Sequence, residues 1–136
     1  MRTATDRAGE PAMIVFSLTV SVAPSGHADF LSSVGALLEP TRVVPDCIAC
    51  RLYRDLDDPN AFTLVEEWAS QAALDRHLTS CAYKTLVAAM ELSTRPPTIR
   101  FDQVAHRAGI EVIAAARREQ GLLSAEELAL MIDRPG

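Results

Sequence analysis

The sequence predicts an α+β fold of the ferredoxin-like kind, a split β-α-β-β-α-β chain on an antiparallel sheet. Three observations predict it. Apolar residues recur with period 2, then 3.6, in the order strand, helix, strand, strand, helix, strand. A short acidic turn, "DLDDPN", joins the second and third strands into a hairpin. The length, 136 residues, holds one core of ordinary size and not two.

The elements follow in chain order. Residues 1–12 are polar, carry no periodicity and read as a loose tail. "MIVFSLTVSV", 13–22, is β-branched and aromatic and reads as the first strand. Ser25 is a candidate N-cap for a helix over 26–39, in which Phe30, Val34, Leu37 and Leu38 share a face, with Pro40 ending it. "DCIACRLYRD" and "AFTLVEEWA" are the hairpin strands. Ser70 caps a helix over 71–78, and Thr79 or Ser80 caps a longer piece carrying Tyr83, Leu86, Val87 and Met90 at helical spacing. "RPP" closes that helix, and "TIRFDQVAH" alternates as the fourth strand.

Two further helices lie beyond this minimal fold. One is "GIEVIAAARREQG", with Ile110, Ile113, Ala114 and, less strictly, Ala116 on one side. The other is "SAEELALMIDRPG", opened by a capping box from Ser124 to Glu127. The expected organisation is a tail (1–12), a ferredoxin-like domain (13–106) and a helical extension (107–136).

Composition narrows the function. Hydrophobic content of 49% with 23% charge is that of a soluble globular protein. A net charge of −5, a single lysine (Lys84) and no basic run argue against nucleic acid or an anionic membrane as partner. No apolar run is long enough to span a bilayer, and the N-terminus has no signal-peptide core, so the cytoplasm is the expected location. Three cysteines are an odd number and fit no closed disulfide framework. Cys47 and Cys50 form a C-x-x-C, but on a regular strand positions three apart face opposite ways, so the two thiols are expected to be separate. Cys81, near the start of the second helix piece, is expected to be buried and inert, with a partly activated thiol as the alternative.

Both faces of the hairpin strands carry large apolar groups, and two helices cover only one face of a four-stranded sheet. The other face needs a cover, a second copy of the chain or a ligand, and the second copy is the economical one. A homodimer, sheet against sheet, is therefore expected.

"CRLYRDLDDPNAFTLVEEWASQAALDRHLTSCAY" resembles the antibiotic-biosynthesis monooxygenase domain family, over about residues 13–105. The shared features are the "VAPSG" turn after the first strand, the D-x-x-D-P-N hairpin, the E-x-W strand end, an A-L-x-x-H-L helix and the S-x-x-Y that follows. The resemblance implies a dimeric α/β barrel and, for some members, oxygenation of phenols or quinols without metal or flavin. Carried over by position, Glu66, Trp68 and His77 match the E-x-W and the helix histidine, and Tyr83 matches the aromatic. The chain departs from the pattern twice. Ala82 stands where a second histidine is usual, and the single asparagine, Asn60, lies in the hairpin turn instead of near strand 1. No histidine between His77 and His106 could serve as a haem ligand, so haem degradation is not implied.

Glu66 and Trp68 share strand parity, and His77 sits at the margin of its helix's apolar stripe, so the three are expected to converge. A carboxylate facing an imidazole fixes the ring and equips it as a general base for a phenolic or enolic proton. Glu66 and His77 are thus the catalytic candidates, with Trp68, Tyr53 and Tyr83 the substrate-binding ones. The competing readings are a structural Glu–His contact, with Trp68 and Tyr53 as core aromatics. His27 is expected to be exposed. No histidine or acidic spacing suits a metal, and no phosphate loop or nucleophile elbow is present, so no cofactor is expected.

The function these readings favour is cofactor-independent monooxygenation of a small phenolic or quinone-type compound. The rivals are an isomerase or degradation enzyme that moves protons between Glu66 and His77 without O2, and a non-catalytic ligand-binding dimer.

Overall fold

A computed structural model describes residues 13–132; the tail expected at 1–12 lies outside them. Strands β1 (Met13–Ser21), β2 (Cys47–Arg54), β3 (Ala61–Trp68) and β4 (Thr98–Val104) form one antiparallel sheet in the order β2-β3-β1-β4. Helix α1 (His27–Arg42) joins β1 to β2, while α2 (Gln71–Leu78) and α3 (Ala82–Glu91) join β3 to β4. This is the ferredoxin-like order expected. The chain divides into two compact units at 105/106, and helices α4 (Ile110–Glu119) and α5 (Ala125–Ile132) make up the second.

The sheet's two faces differ as its period-2 pattern requires. Ile14, Phe16, Leu18 and Val20 alternate into the core, and so do Phe62, Leu64, Glu66 and Trp68. Phe30 and Val34 of α1, Ala73 and Leu74 of α2, and Leu86 and Ala89 of α3 close over them. The opposite face carries Val15, Ser17 and Thr19, Thr63, Val65 and Glu67, and Arg51 and Tyr53, none of them buried. Thr19 and Thr63 hydrogen-bond across it at 2.8 Å, and Arg100 pairs with Asp102 at 3.0 Å.

Five local expectations are corrected. Ser25 caps nothing: Pro24–Gly26 form a 3₁₀ turn, and α1 starts at His27 with Gly26 as its N-cap. Pro40 does not end α1, which runs on to Arg42. The hydrogen bond Pro40 cannot make would have gone to Ala36, and both residues are exposed, so that carbonyl is left open to solvent. Neither Thr79 nor Ser80 caps α3; their hydroxyls bond back to Asp75, Arg76 and His77 carbonyls and close α2. His27 is half-buried, with Nε2 2.8 Å from the Val22 carbonyl and its ring edge-on to Phe62 at 5.1 Å.

The fifth correction bears on the cysteines. A β-bulge between Cys47 and Ala49 inserts one residue into β2. Cys47 pairs with Trp68, and Cys50 pairs with Glu66. Since Trp68 and Glu66 face the helices, the bulge turns both thiols to that face. The parity argument fails because it assumed a regular strand.

Candidate functional site

β3 ends with two side chains aimed into the core, and α2 brings a third to them. The Ser70 hydroxyl accepts from the Ala73 amide at 3.1 Å, fixing where α2 begins. Its buried face is then Ala73, Leu74 and His77, which sets the His77 ring over the sheet. Trp68 Nε1 donates to Glu66 Oε1 at 3.0 Å, and His77 Nε2 lies 3.2 Å from Glu66 Oε2. The Trp68 and His77 rings lie 4.8 Å apart at 33°. All three residues are at most 5% exposed.

This geometry fixes a tautomer. An ionised carboxylate only accepts, so Nε2 carries the proton that points at Glu66. In the neutral ring the lone pair is then on Nδ1, which is the atom able to take a proton. Charge also constrains the cluster: a buried carboxylate is costly unless donors surround it, and here one indole and one imidazole N–H supply them.

The carboxylate acts on the thiols as well. Burial first, and the Glu66 charge second, push Cys50 up to about 12 from its usual 9. The same two causes raise Cys47. Both are therefore protonated and poorly nucleophilic at neutral pH. Cys81, expected to be buried, is exposed. Among the described residues no group of three or more His, Cys, Asp or Glu is placed to hold a metal.

Beside the cluster lies an apolar cleft of about 300 Å³, lined by Phe16, Leu78, Tyr83, Met90, Ile99 and Phe101. It exists because α1 to α3 leave β4 uncovered: Ile99 and Phe101 stay 47% and 49% exposed on the helix side. Phe16 and Phe101 stack at 5.0 Å and 23°, forming its floor. Tyr83 is its one lining residue with a polar side chain.

The sequence candidates thus separate into three places. Glu66, Trp68 and His77 come together as expected, but none of them lines the cleft. Phe16 is paired across the sheet with Glu66, and Leu78 follows His77 on α2, so these two apolar side chains stand between cluster and cleft. Tyr83 is in the cleft. Tyr53 is remote from both: it is paired with Thr63 on the open face of the sheet and is 51% exposed. Sequence reasoning missed the cleft's apolar walls. The available signal was Ile99 and Phe101 on one side of a strand whose neighbouring helices were already committed elsewhere.

Fold and cluster define a ferredoxin-like domain with a buried Glu–His–Trp centre beside an aromatic cleft. The profile of the antibiotic biosynthesis monooxygenase family matches residues 13–89, more than half of the chain, and the chain belongs to that family. It is 29% identical over 103 residues to an uncharacterised protein of Synechocystis, covering 75% of this chain and 70% of that one. It is 27% identical over 76 residues to the Bacillus subtilis protein YcnE, provisionally named a monooxygenase, covering 56% and 80%. Among solved structures, the Rv0793 protein of Mycobacterium tuberculosis superposes with a TM-score of 0.65 at 24% identity, covering 71% of this chain and 99% of that one. A Caulobacter crescentus protein provisionally described as an antibiotic biosynthesis monooxygenase gives 0.63 at 25%, covering 70% and 92%.

Proposed function

We propose that the protein is a cofactor-independent monooxygenase acting on a small phenolic or quinol-type compound bound in the Phe16–Phe101 cleft. The observation that carries this reading is the cleft itself, an aromatic-floored slot with one hydroxyl, one side-chain layer from a buried imidazole. Apolar walls with a single polar group suit a flat, uncharged ring system carrying a hydroxyl. In this reading Leu78 or Phe16 moves aside as substrate binds, His77 takes the phenolic proton at Nδ1, and Glu66 stabilises the imidazolium that results. The phenolate is electron-rich enough to reduce O2 directly. A peroxide then forms on the ring carbon and loses water, leaving a new carbonyl. The balance is one phenol and one O2 giving one quinone and one water, so the substrate supplies every electron.

The domain is further proposed to pair through its open sheet face, where Val15, Val65 and Tyr53 are the groups a second copy would cover. Tyr53 is then an interface residue, and substrate contact falls to Tyr83. Residues 13–106 are the catalytic domain in this reading, and 107–136 an added helical unit. The absence of long apolar helices among the described residues is compatible with the cytoplasmic location expected from the sequence.

One observation favours a second reading, a ligand-binding dimer without chemistry: Phe16 and Leu78 separate the cleft from His77. Phe101→Arg tests the site, because the half-exposed side chain can change without emptying the core. O2 uptake with a hydroquinone that falls at least tenfold in Phe101→Arg supports oxygenation in the cleft. Binding of the same compound with no uptake in either protein supports the second reading.

A further inference from the structure

The C-x-x-C takes no part in the proposed reaction, yet the fold makes a pair of it. Cys47 opens β2, an outer strand of the sheet, and is half-buried; Cys50 is 2% exposed and sits in the core. Ile48 is the residue that the bulge inserts. It has no partner in the β2–β3 register and is 50% exposed. The three-residue step from Cys47 to Cys50 therefore lies along the two-residue step from Trp68 back to Glu66. Two residues of strand span roughly 6.6 Å, and disulfides bridge Cα atoms up to about 6.8 Å apart. The first thiol already leans toward the second. Cys47 Sγ donates to the Ala49 carbonyl at 3.6 Å, and that carbonyl belongs to the peptide that joins Ala49 to Cys50.

We propose that Cys47 and Cys50 are a reversible oxidation site, which a low-molecular-weight disulfide closes to an intrastrand disulfide across the bulge. Access is the first argument. A depression of about 420 Å³, lined by Arg42, Ile48, Ala49, Cys50 and Arg51, opens at the bulge, and Cys47 is the more exposed of the two thiols. Slack in the backbone is the second. Closing the bond draws the Cβ atoms to about 4 Å, and the shift falls on Ile48, which has no register partner to leave. Charge is the third. Cys50 is paired across the strands with the buried Glu66 carboxylate, where a thiolate or a metal dithiolate would add a second negative charge. A disulfide is neutral. The causes that raise both thiols, burial and the Glu66 charge, deny the reduced form any gain from ionising and so favour the closed form.

The exchange runs in two steps. Cys47, as its thiolate, attacks one sulfur of the small disulfide and releases the first small thiol. Cys50 loses its proton and attacks the Cys47 sulfur of the mixed disulfide, releasing the second. The protein gives up two electrons and two protons, and the small disulfide takes them up as two thiols. The reaction is slow at neutral pH, because little of either cysteine is thiolate, and it quickens as pH rises.

This inference does not depend on the oxygenase reading. The test uses the full chain in a Cys81→Ser background, so that the exposed third thiol is absent. Native protein is held in excess oxidised glutathione at mildly alkaline pH until its mass stops changing, then acid-quenched, alkylated and digested. The expected product is lighter by two hydrogens, retains no glutathione, carries a link from Cys47 to Cys50 and keeps the circular dichroism of the sheet. Dithiothreitol should restore both thiols. Two free thiols at the plateau, a glutathione adduct that never closes, or a link found only in chains that have lost the sheet signal overturns the proposal. Cys50→Ala in the same background should stop at one glutathione on Cys47. No adduct there would overturn Cys47 as the entering thiol.

Discussion

Removing His77 tests the buried cluster through stability before any substrate is known. His77→Ala deletes one of the two donors to a Glu66 carboxylate that is only 2% exposed. Trp68 alone then faces the charge, at 3.0 Å. Breaking a buried pair from one side costs about 3–5 kcal/mol, because the remaining charge has neither partner nor water. The hole left by the imidazole adds to this, since α2 is held by its cap and cannot collapse freely. For a domain of this size each kcal/mol lowers the Tm by about 4 °C, so the expected fall is roughly 12–20 °C at fixed protein concentration. The control is Glu66→Gln/His77→Leu, which removes the charge and fills the hole. It should recover at least half of the loss, giving a large coupling in the double-mutant cycle. The assay is urea unfolding followed by Trp68 fluorescence, the indole being the chain's only one and part of the cluster. A loss under about 1 kcal/mol for His77→Ala would refute the reasoning, since it would mean that Glu66 is neutral or hydrated in the folded protein.

Other consequences are independent. Because Cys50 is held at about 12 when folded and near 9 when unfolded, the unfolded chain releases its proton first as pH rises. Stability is unaffected below pH 9, and Cys50 should lower it by about 1.4 kcal/mol per pH unit between 9 and 12, a share of the slope that Cys50→Ala removes while that of Cys47 stays. Thiol labelling at pH 8 should modify exposed Cys81 in the native protein and leave Cys50 unmodified until urea is added. Gly121→Ala should cost the helical unit about 1 kcal/mol through backbone strain alone, as a Cβ there meets nothing within 4 Å; amide exchange in 110–132 reads the loss.

The order of elements was legible because each segment satisfies its own periodicity: "MIVFSLTVSV" has no helical face and "CAYKTLVAAMELS" has no strand alternation. The convergence of Glu66, Trp68 and His77 was legible for the same reason, strand parity plus one helical turn. What escaped depended on local irregularity. One inserted residue in β2 reversed the facing of Cys47, and no composition signal announces a bulge. Pro40 was read as a stop, yet a proline in a last turn whose missing bond faces water is tolerated. Tyr53 was grouped with the cluster by residue type, although its parity in the hairpin, opposite Thr63, sends it to the other side of the sheet. The cleft was invisible for another reason: it is made by the helices stopping short of β4, a matter of where they pack and not of any residue's pattern.

The central claim is that His77, held by Glu66, makes a bound phenol reactive toward O2. The most direct test is O2 consumption across a panel of hydroquinones and phenols, native protein against His77→Gln, with autoxidation subtracted and folding of both confirmed by circular dichroism. Glutamine keeps a donor for the Glu66 carboxylate but cannot act as a base. The account predicts uptake by the native protein with at least one member of the panel, and a fall of at least a hundredfold in His77→Gln. Uptake that survives the substitution, or none above background anywhere in the panel, would contradict it.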